Sequence, residues 1–417
     1  MGRTTGYRSA LAVGEFRVLL ATMAVSSLGD QLARVALAVL VFDRTGSSLA
    51  SAGTLAVTYL TYVVAGPLLA TTADRLPRRG LMVGCDLVRA VALAAMAWSE
   101  APLLVLIALL VLAETATAPF EAARGALLPE VLDGDAYVVG SGLLSTLHQL
   151  LQVAGFAVGG LLLLALTPTE VLGLNAASFA VSAAVLHARL RARPAQDPSA
   201  RSTPWRDLRR GCTHVLSSPR LRVLLPVAWL ASAVVVLPEG LAAGLAAASG
   251  AGPTSVGLLM AAGPAGCAVG AVVVTRLVPA ARRELLLVPL LLLTCAPLVL
   301  VALDPSLVVL AGLVGLSGAG SSCFVLVQTT VGREVPSHLR GRVFGIAAGG
   351  LMGAQGLALV GGGALASVVP VHLVLAGTGV AGLVAAGALA MSWARVAEVP
   401  VPTPPVPTPP TQVPVRV

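Results

Sequence analysis

Apolar runs of about 20 residues, each closed by a charge or a Gly/Pro turn, recur along the whole 417-residue chain. Such a run, at the rise of an α-helix, matches the hydrocarbon core of a bilayer. The pattern predicts twelve helices, over 16–42, 48–70, 80–98, 102–120, 138–165, 170–188, 221–246, 254–277, 284–303, 306–328, 342–366 and 370–395. The end of the fourth is blurred by Glu114, Glu121 and Arg124. The longest polar stretch, 189–220, divides the spans six and six, and within it Trp205-Arg206-Asp207-Leu208-Arg209-Arg210 reads as a helix lying on the membrane surface.

The expected organisation is therefore a six-helix bundle over 1–188, a linker over 189–220 and a second bundle over 221–397. The tail over 398–417 repeats Val401-Pro402-Thr403-Pro404-Pro405 as residues 406–410, a composition that suits a disordered polyproline-like segment.

Composition agrees with a membrane protein: 57% of residues are hydrophobic and 11% charged, where a soluble domain carries about 25%. The net charge of +8 is all arginine on the basic side and sits in short loops, so it reads as topology and not as a nucleic-acid surface. One set of loops holds Arg75, Arg78, Arg79, Arg124, Arg189 to Arg222, Arg276, Arg282, Arg283, Arg333, Arg340 and Arg342; the alternate set holds Arg44 alone. The bias predicts a plasma-membrane protein with both termini in the cytoplasm, and a bacterial origin fits the arginine-rich, lysine-free composition. The first apolar run contains Asp30 and Arg34 and is too long for a signal peptide. Five scattered cysteines and five dispersed histidines form no CxxC or Cys/His spacing, so no metal and no cofactor is expected. HExxH, Walker and nucleophile-elbow strings are absent, which argues against an enzyme.

Ionisable groups inside a span cost roughly 2.5–3.5 kcal/mol each and need a reason. Asp30 falls about 21 Å along the first helix, near mid-depth, with Arg34 one turn on. Two readings stay open for them: a permanent i, i+4 ion pair, or a proton-sensitive acid beside a central cavity. Glu114 has no partner on its own helix and is the first choice for proton coupling. Glu239, between Pro238 and Gly240, is a gate or cation contact, or simply an acid near the interface. Asp86 and Arg89 are expected near the charged loop. Tyr59, Tyr62, His148, Gln149, Gln152 and Gln355 are candidate cavity residues, with helix-gluing amides as the alternative for the glutamines. With only 4% aromatic residues, the pocket is expected to be aliphatic.

The turn Ala73-Asp74-Arg75-Leu76-Pro77-Arg78-Arg79 after the second helix, together with two six-helix halves, resembles the major facilitator superfamily. The family's signature turn carries an Asp-Arg pair, two glycines and an Arg-Arg pair; Asp74, Arg75, Arg78 and Arg79 match it, while Ala70 and Pro77 stand where the glycines belong. The resemblance implies a cytoplasmic latch made by those four residues, with Arg340 and Arg342 as a plausible receiver in the other half. Gly29-Asp30, Arg124-Gly125-Ala126-Leu127-Leu128-Pro129 and Arg340-Gly341-Arg342-Val343 resemble the bacterial efflux branch of macrolide and siderophore exporters. Gly155, Gly159 and Gly160 keep the glycines of an antiporter signature whose proline is missing here, and their spacing permits close helix packing. The expectation is a monomeric secondary transporter that exchanges protons for a small amphipathic compound by alternating access, with import, lipid translocation or sensing without flux as alternatives.

Overall fold

The computed structural model describes residues 6–69, 76–98, 101–193 and 204–397. Asp74 and Arg75, residues 194–203 of the linker and the 398–417 tail lie outside them. No strand occurs among the described residues, and twelve long helical units form two sets of six.

The first set is α1 (Gly14–Thr45), α2 (Ser48–Leu69), α3 (Arg78–Met96), α4 (Leu103–Val131), α5 (Gly134–Leu162) and α6 (Pro168–Arg189). The second is α7 (Leu221–Ala248), α8 (Pro253–Leu277), α9 (Arg282–Leu303), α10 (Leu307–Glu334), α11 (Ser337–Leu365) and α12 (Val371–Ala397). Ten of them are long and apolar enough to cross a membrane by themselves; α3 and α5 carry more polar residues and fall short. Helix α6 starts on a full capping box, in which Thr167 and Glu170 satisfy each other's backbone N–H groups.

Three units are broken: α4 at Ala116, α7 at Leu241 and α10 at Ser321-Ser322. The break in α4 corrects the expected end near residue 120. Two helical segments run on to Val131, so Glu114, Glu121 and Arg124 sit inside the unit. The polar stretch before α7 holds a helix over Pro204–Ser217, and Gly211 lets it rest on Arg342 and Ile346 of α11.

The second half repeats the first. Helix α1 packs on α5 and α6, and α3 on α6; six helices later, α7 packs on α11 and α12, and α9 on α12. The two largest contacts between the halves, α2 on α11 and α5 on α8, exchange with each other under the same relation.

Apolar packing differs between the two ends of the molecule. At the end where α1 starts, rich in arginine, each half has its own core: Phe16, Met82, Leu127 and Leu186 in the first, Leu224, Leu287, Val331 and Trp393 in the second. At the opposite end one core is shared, running from Val35 and Leu55 through Phe156 to Leu237, Leu259 and Leu359. Gly160 and Gly257 make that junction possible, since a β-carbon at Gly160 would stand 2.8 Å from the Gly257 α-carbon. The halves are joined at one end and separately packed at the other.

Candidate functional site

Below the shared core, all six helices of the first half enclose a cavity of about 570 Å³, to which the second half adds Met352. Its charged and polar lining includes Asp30, Arg34, Arg89, Glu114, Glu121, Arg124 and His148. Helix α1 contributes Met23, Ser26, Ser27, Asp30 and Arg34, a spacing that places all five on one helical face.

Asp30 accepts a hydrogen bond from Asn175 Nδ2 of α6 at 3.3 Å. The approach depends on Gly29, where a β-carbon would collide with the Asn175 amide. Of the two readings left open for Asp30 and Arg34, the i, i+4 ion pair is not formed. Arg34 lies over the Tyr59 ring of α2 instead, 5.8 Å from its centroid, because an aromatic face can hold a guanidinium.

Glu114 is not isolated either. The Thr58 hydroxyl of α2 donates to Glu114 Oε1 at 3.0 Å, and Thr117, just past the break in α4, donates to Oε2 at 3.4 Å. Neutral donors hold both Asp30 and Glu114, and no arginine stands within ion-pair distance of either among the described residues. Glu121 and Arg124 pair with each other one turn apart.

Asp86 and Arg89 belong to this interior and not to the charged loop. Asp86 is completely buried, accepts from Ser182 at 2.6 Å and faces Arg89 at 3.7 Å. Arg89 enters the cavity wall between the rings of Phe120 and Phe179, at 5.2 and 4.9 Å. Phe120, Phe179 and Tyr62 bring three rings into a lining whose apolar part is otherwise aliphatic, as composition predicts.

Of the other candidates, Tyr62 and His148 line the cavity. Tyr59 stands behind the wall as Arg34's partner. Gln149 points about 100° away from His148 around α5, and Gln152 lies a turn deeper than the last α5 lining residue. Gln355 is three residues beyond Met352 on α11, its Oε1 buried without a partner. Glu239 is 5% exposed in the seam between the halves, and its Oε2 has no hydrogen-bond partner. The helix glycines serve two contacts: Gly155 and Gly159 seat Gln31 and Val35 of α1, while Gly160 meets α8. Among the described residues no three His, Cys, Asp or Glu side chains cluster as metal ligands would.

A family model for the Major Facilitator Superfamily matches residues 19–241 and 240–417. The chain belongs to the major facilitator superfamily. No curated relative matches it. Solved structures with similar folds include the nucleoside transporter NupG (TM-score 0.67, 14% identity, covering 90% of this chain and 99% of that one). Another is a bacterial homologue of the iron transporter ferroportin in an inward-facing state (TM-score 0.68, 15% identity, 92% and 98% covered). A third is a bacterial homolog of the human lysosomal transporter Spinster, inward-facing and unoccupied (TM-score 0.70, 15% identity, 91% and 97% covered). At such identities the likeness shows the fold. Membership makes the protein a multi-pass membrane transporter of small molecules.

The facilitator's two halves secure their arginine-rich ends differently. In the first, Arg78 bonds Glu130 and the Ala126 carbonyl, Arg79 bonds the Leu190 carbonyl at 3.3 Å, and Arg193 bonds Glu15 at 2.6 Å. The Glu15 hydrogen bonds raise the proton affinity of the Arg193 guanidinium. In the second, Arg220 bonds Glu334 at 2.8 Å and Glu284 at 3.3 Å and faces the Trp393 ring. Arg283 donates to backbone carbonyls of Thr275 and Val278, and Arg340 donates to Val335. Arg78, Arg79 and Arg340 thus bond within their own halves, while Asp74 and Arg75, the acid and first arginine of the expected latch, lie outside the described residues.

Proposed function

We propose that the protein exports a small amphipathic compound with a charged or strongly polar head, by proton-coupled alternating access. The observation that carries this reading is the placement of Asp30 and Glu114. Two carboxylates held only by neutral donors face one cavity beneath a sealed end. A carboxylate without a fixed cation can exchange a proton for a substrate, whereas a salt-bridged one is held ionised.

The arginine bias puts the separately packed end in the cytoplasm, so the cavity loads from inside the cell. Glu114 is the primary proton carrier and Asp30 the second; Arg34 moves between Tyr59 and Glu239 as the halves rock. Tyr62, His148, Arg89 and Asn175 contact substrate. Asp74 and its arginines govern conformation.

Purified protein in liposomes with an imposed pH gradient tests the reading. Glu114→Gln should abolish gradient-driven flux while leaving the thermal midpoint unchanged. Unaltered flux removes Glu114 from coupling. Uptake of a polar solute is the second reading, favoured by the ionic lining and by the nucleoside-transporting relative of the same fold. Labelled substrate moving inward with the proton would select it.

A further inference from the structure

Outside the transport cavity, the arginine-rich ends of α1 and α6 flank a groove of about 860 Å³. Its walls are Val13, Val18, Ala21, Ala184, Val185 and Ala188, and its rim carries Arg17, Arg189 and Arg191. The groove lies on the face of α1 opposite the cavity: Arg17, Ala21 and Val25 follow one another at helical spacing and are all exposed. On α6 the exposed positions Leu174, Ala177, Val181, Ala184 and Ala188 form a second apolar stripe that runs into the same groove. In a spanning protein such a face meets acyl chains.

The rim has an unbalanced charge. Glu15 is the single acid in the lining, and it is consumed: both its oxygens accept from the Arg193 guanidinium, at 3.1 and 2.6 Å, and the Arg191 backbone N–H adds a third bond at 2.8 Å. The side chains of Arg17, Arg189 and Arg191 are exposed and have no carboxylate within ion-pair distance among the described residues. Topology requires arginines near this end, but it does not require a groove between them or small residues that keep it open. Ala21, Ala184 and Ala188 leave the space that larger aliphatic side chains would fill.

We infer that this groove binds one anionic phospholipid, with the headgroup phosphate among Arg17, Arg189 and Arg191 and an acyl chain along Ala184 and Val181. Arginine forks suit phosphate oxygens, and basic residues at a membrane surface draw anionic lipids. The lipid would bridge α1, whose other face carries Asp30, to α6, whose Asn175 holds it.

The test is native mass spectrometry of the full chain released from nanodiscs containing phosphatidylglycerol and phosphatidylethanolamine. Wild type should retain phosphatidylglycerol preferentially. Replacing Arg17, Arg189 and Arg191 with Gln should weaken retention about fivefold for each arginine removed. Ala184→Phe, which fills the groove and keeps every charge, should also lose the lipid; Ala188→Leu is the alternative should that variant not fold. Arg276→Gln with Arg282→Gln, at the same end of the other half, should change nothing. Wild-type retention in the groove-filling variant, or equal loss in the Arg276/Arg282 control, overturns the site and leaves only a diffuse basic belt. Neither result bears on proton-coupled flux.

Discussion

Asn175 reaches Asp30 across the α1–α6 contact at 3.3 Å because residue 29 has no side chain. Gly29→Ala should therefore push the Asn175 amide away and cost about 1–3 kcal/mol as overpacking. Thermal unfolding in detergent checks the loss. Adding Asn175→Ala should recover part of it by removing the collision, and an unchanged midpoint for Gly29→Ala would contradict the contact.

Arg89 compensates a carboxylate that has no water to turn to, since Asp86 is 0% exposed. Arg89→Ala should cost about 3–5 kcal/mol by leaving that charge buried alone. Asp86→Asn in the same chain should return much of the stability, because the amide needs no counter-ion. A double variant as unstable as Arg89→Ala would place the loss in the Phe120 and Phe179 contacts instead.

Gly160→Val should wedge the seam at Gly257. About 2 kcal/mol of overpacking shifts a two-state equilibrium roughly thirtyfold away from the sealed arrangement. Spin labels at Asp133 and Arg333, on the arginine-rich ends of the two halves, should then report a shorter distance. An unchanged distance distribution would mean that the seam yields without rocking the halves.

Arg220→Ala should lower stability by about 2 kcal/mol, the scale of losing hydrogen bonds to charged groups. It leaves Glu334, 12% exposed, without its cation. Arg283→Ala should cost less, because that side chain bonds only the backbone carbonyls of Thr275 and Val278 at the end of α8 and no carboxylate. Equal losses, read as urea midpoints, would show that both arginines act as generic surface charges.

The spans, their grouping in sixes and the arginine asymmetry were legible in the sequence because hydropathy and loop charge are properties of contiguous residues. Asp30 and Glu114 were legible as costly groups, but their partners were not. Asn175 and Thr58 come from other helices, and nothing local marks either as a donor. Asp86 and Arg89 looked peripheral because distance along a helix does not reveal depth in a bundle. The aliphatic character of the cavity was legible from composition, but the position of its few rings was not. A chain with few rings can still bring Phe120, Phe179 and Tyr62 to one place. Gln149 and Gln152 share a helical face, but that spacing does not say whether the face turns toward the cavity, and Gln355 was a candidate by its polarity.

The asymmetry between one shared core and two separate ones has a thermal consequence. Opening the sealed end must wet the apolar surface around Leu237, Leu259 and Leu359, and wetting such surface carries a positive heat-capacity change. Cooling weakens that seal while leaving the hydrogen bonds around Asp30 and Glu114 largely intact. The conformational balance of this transporter is therefore a built-in thermometer, resting on the strength of water's aversion to a few leucines.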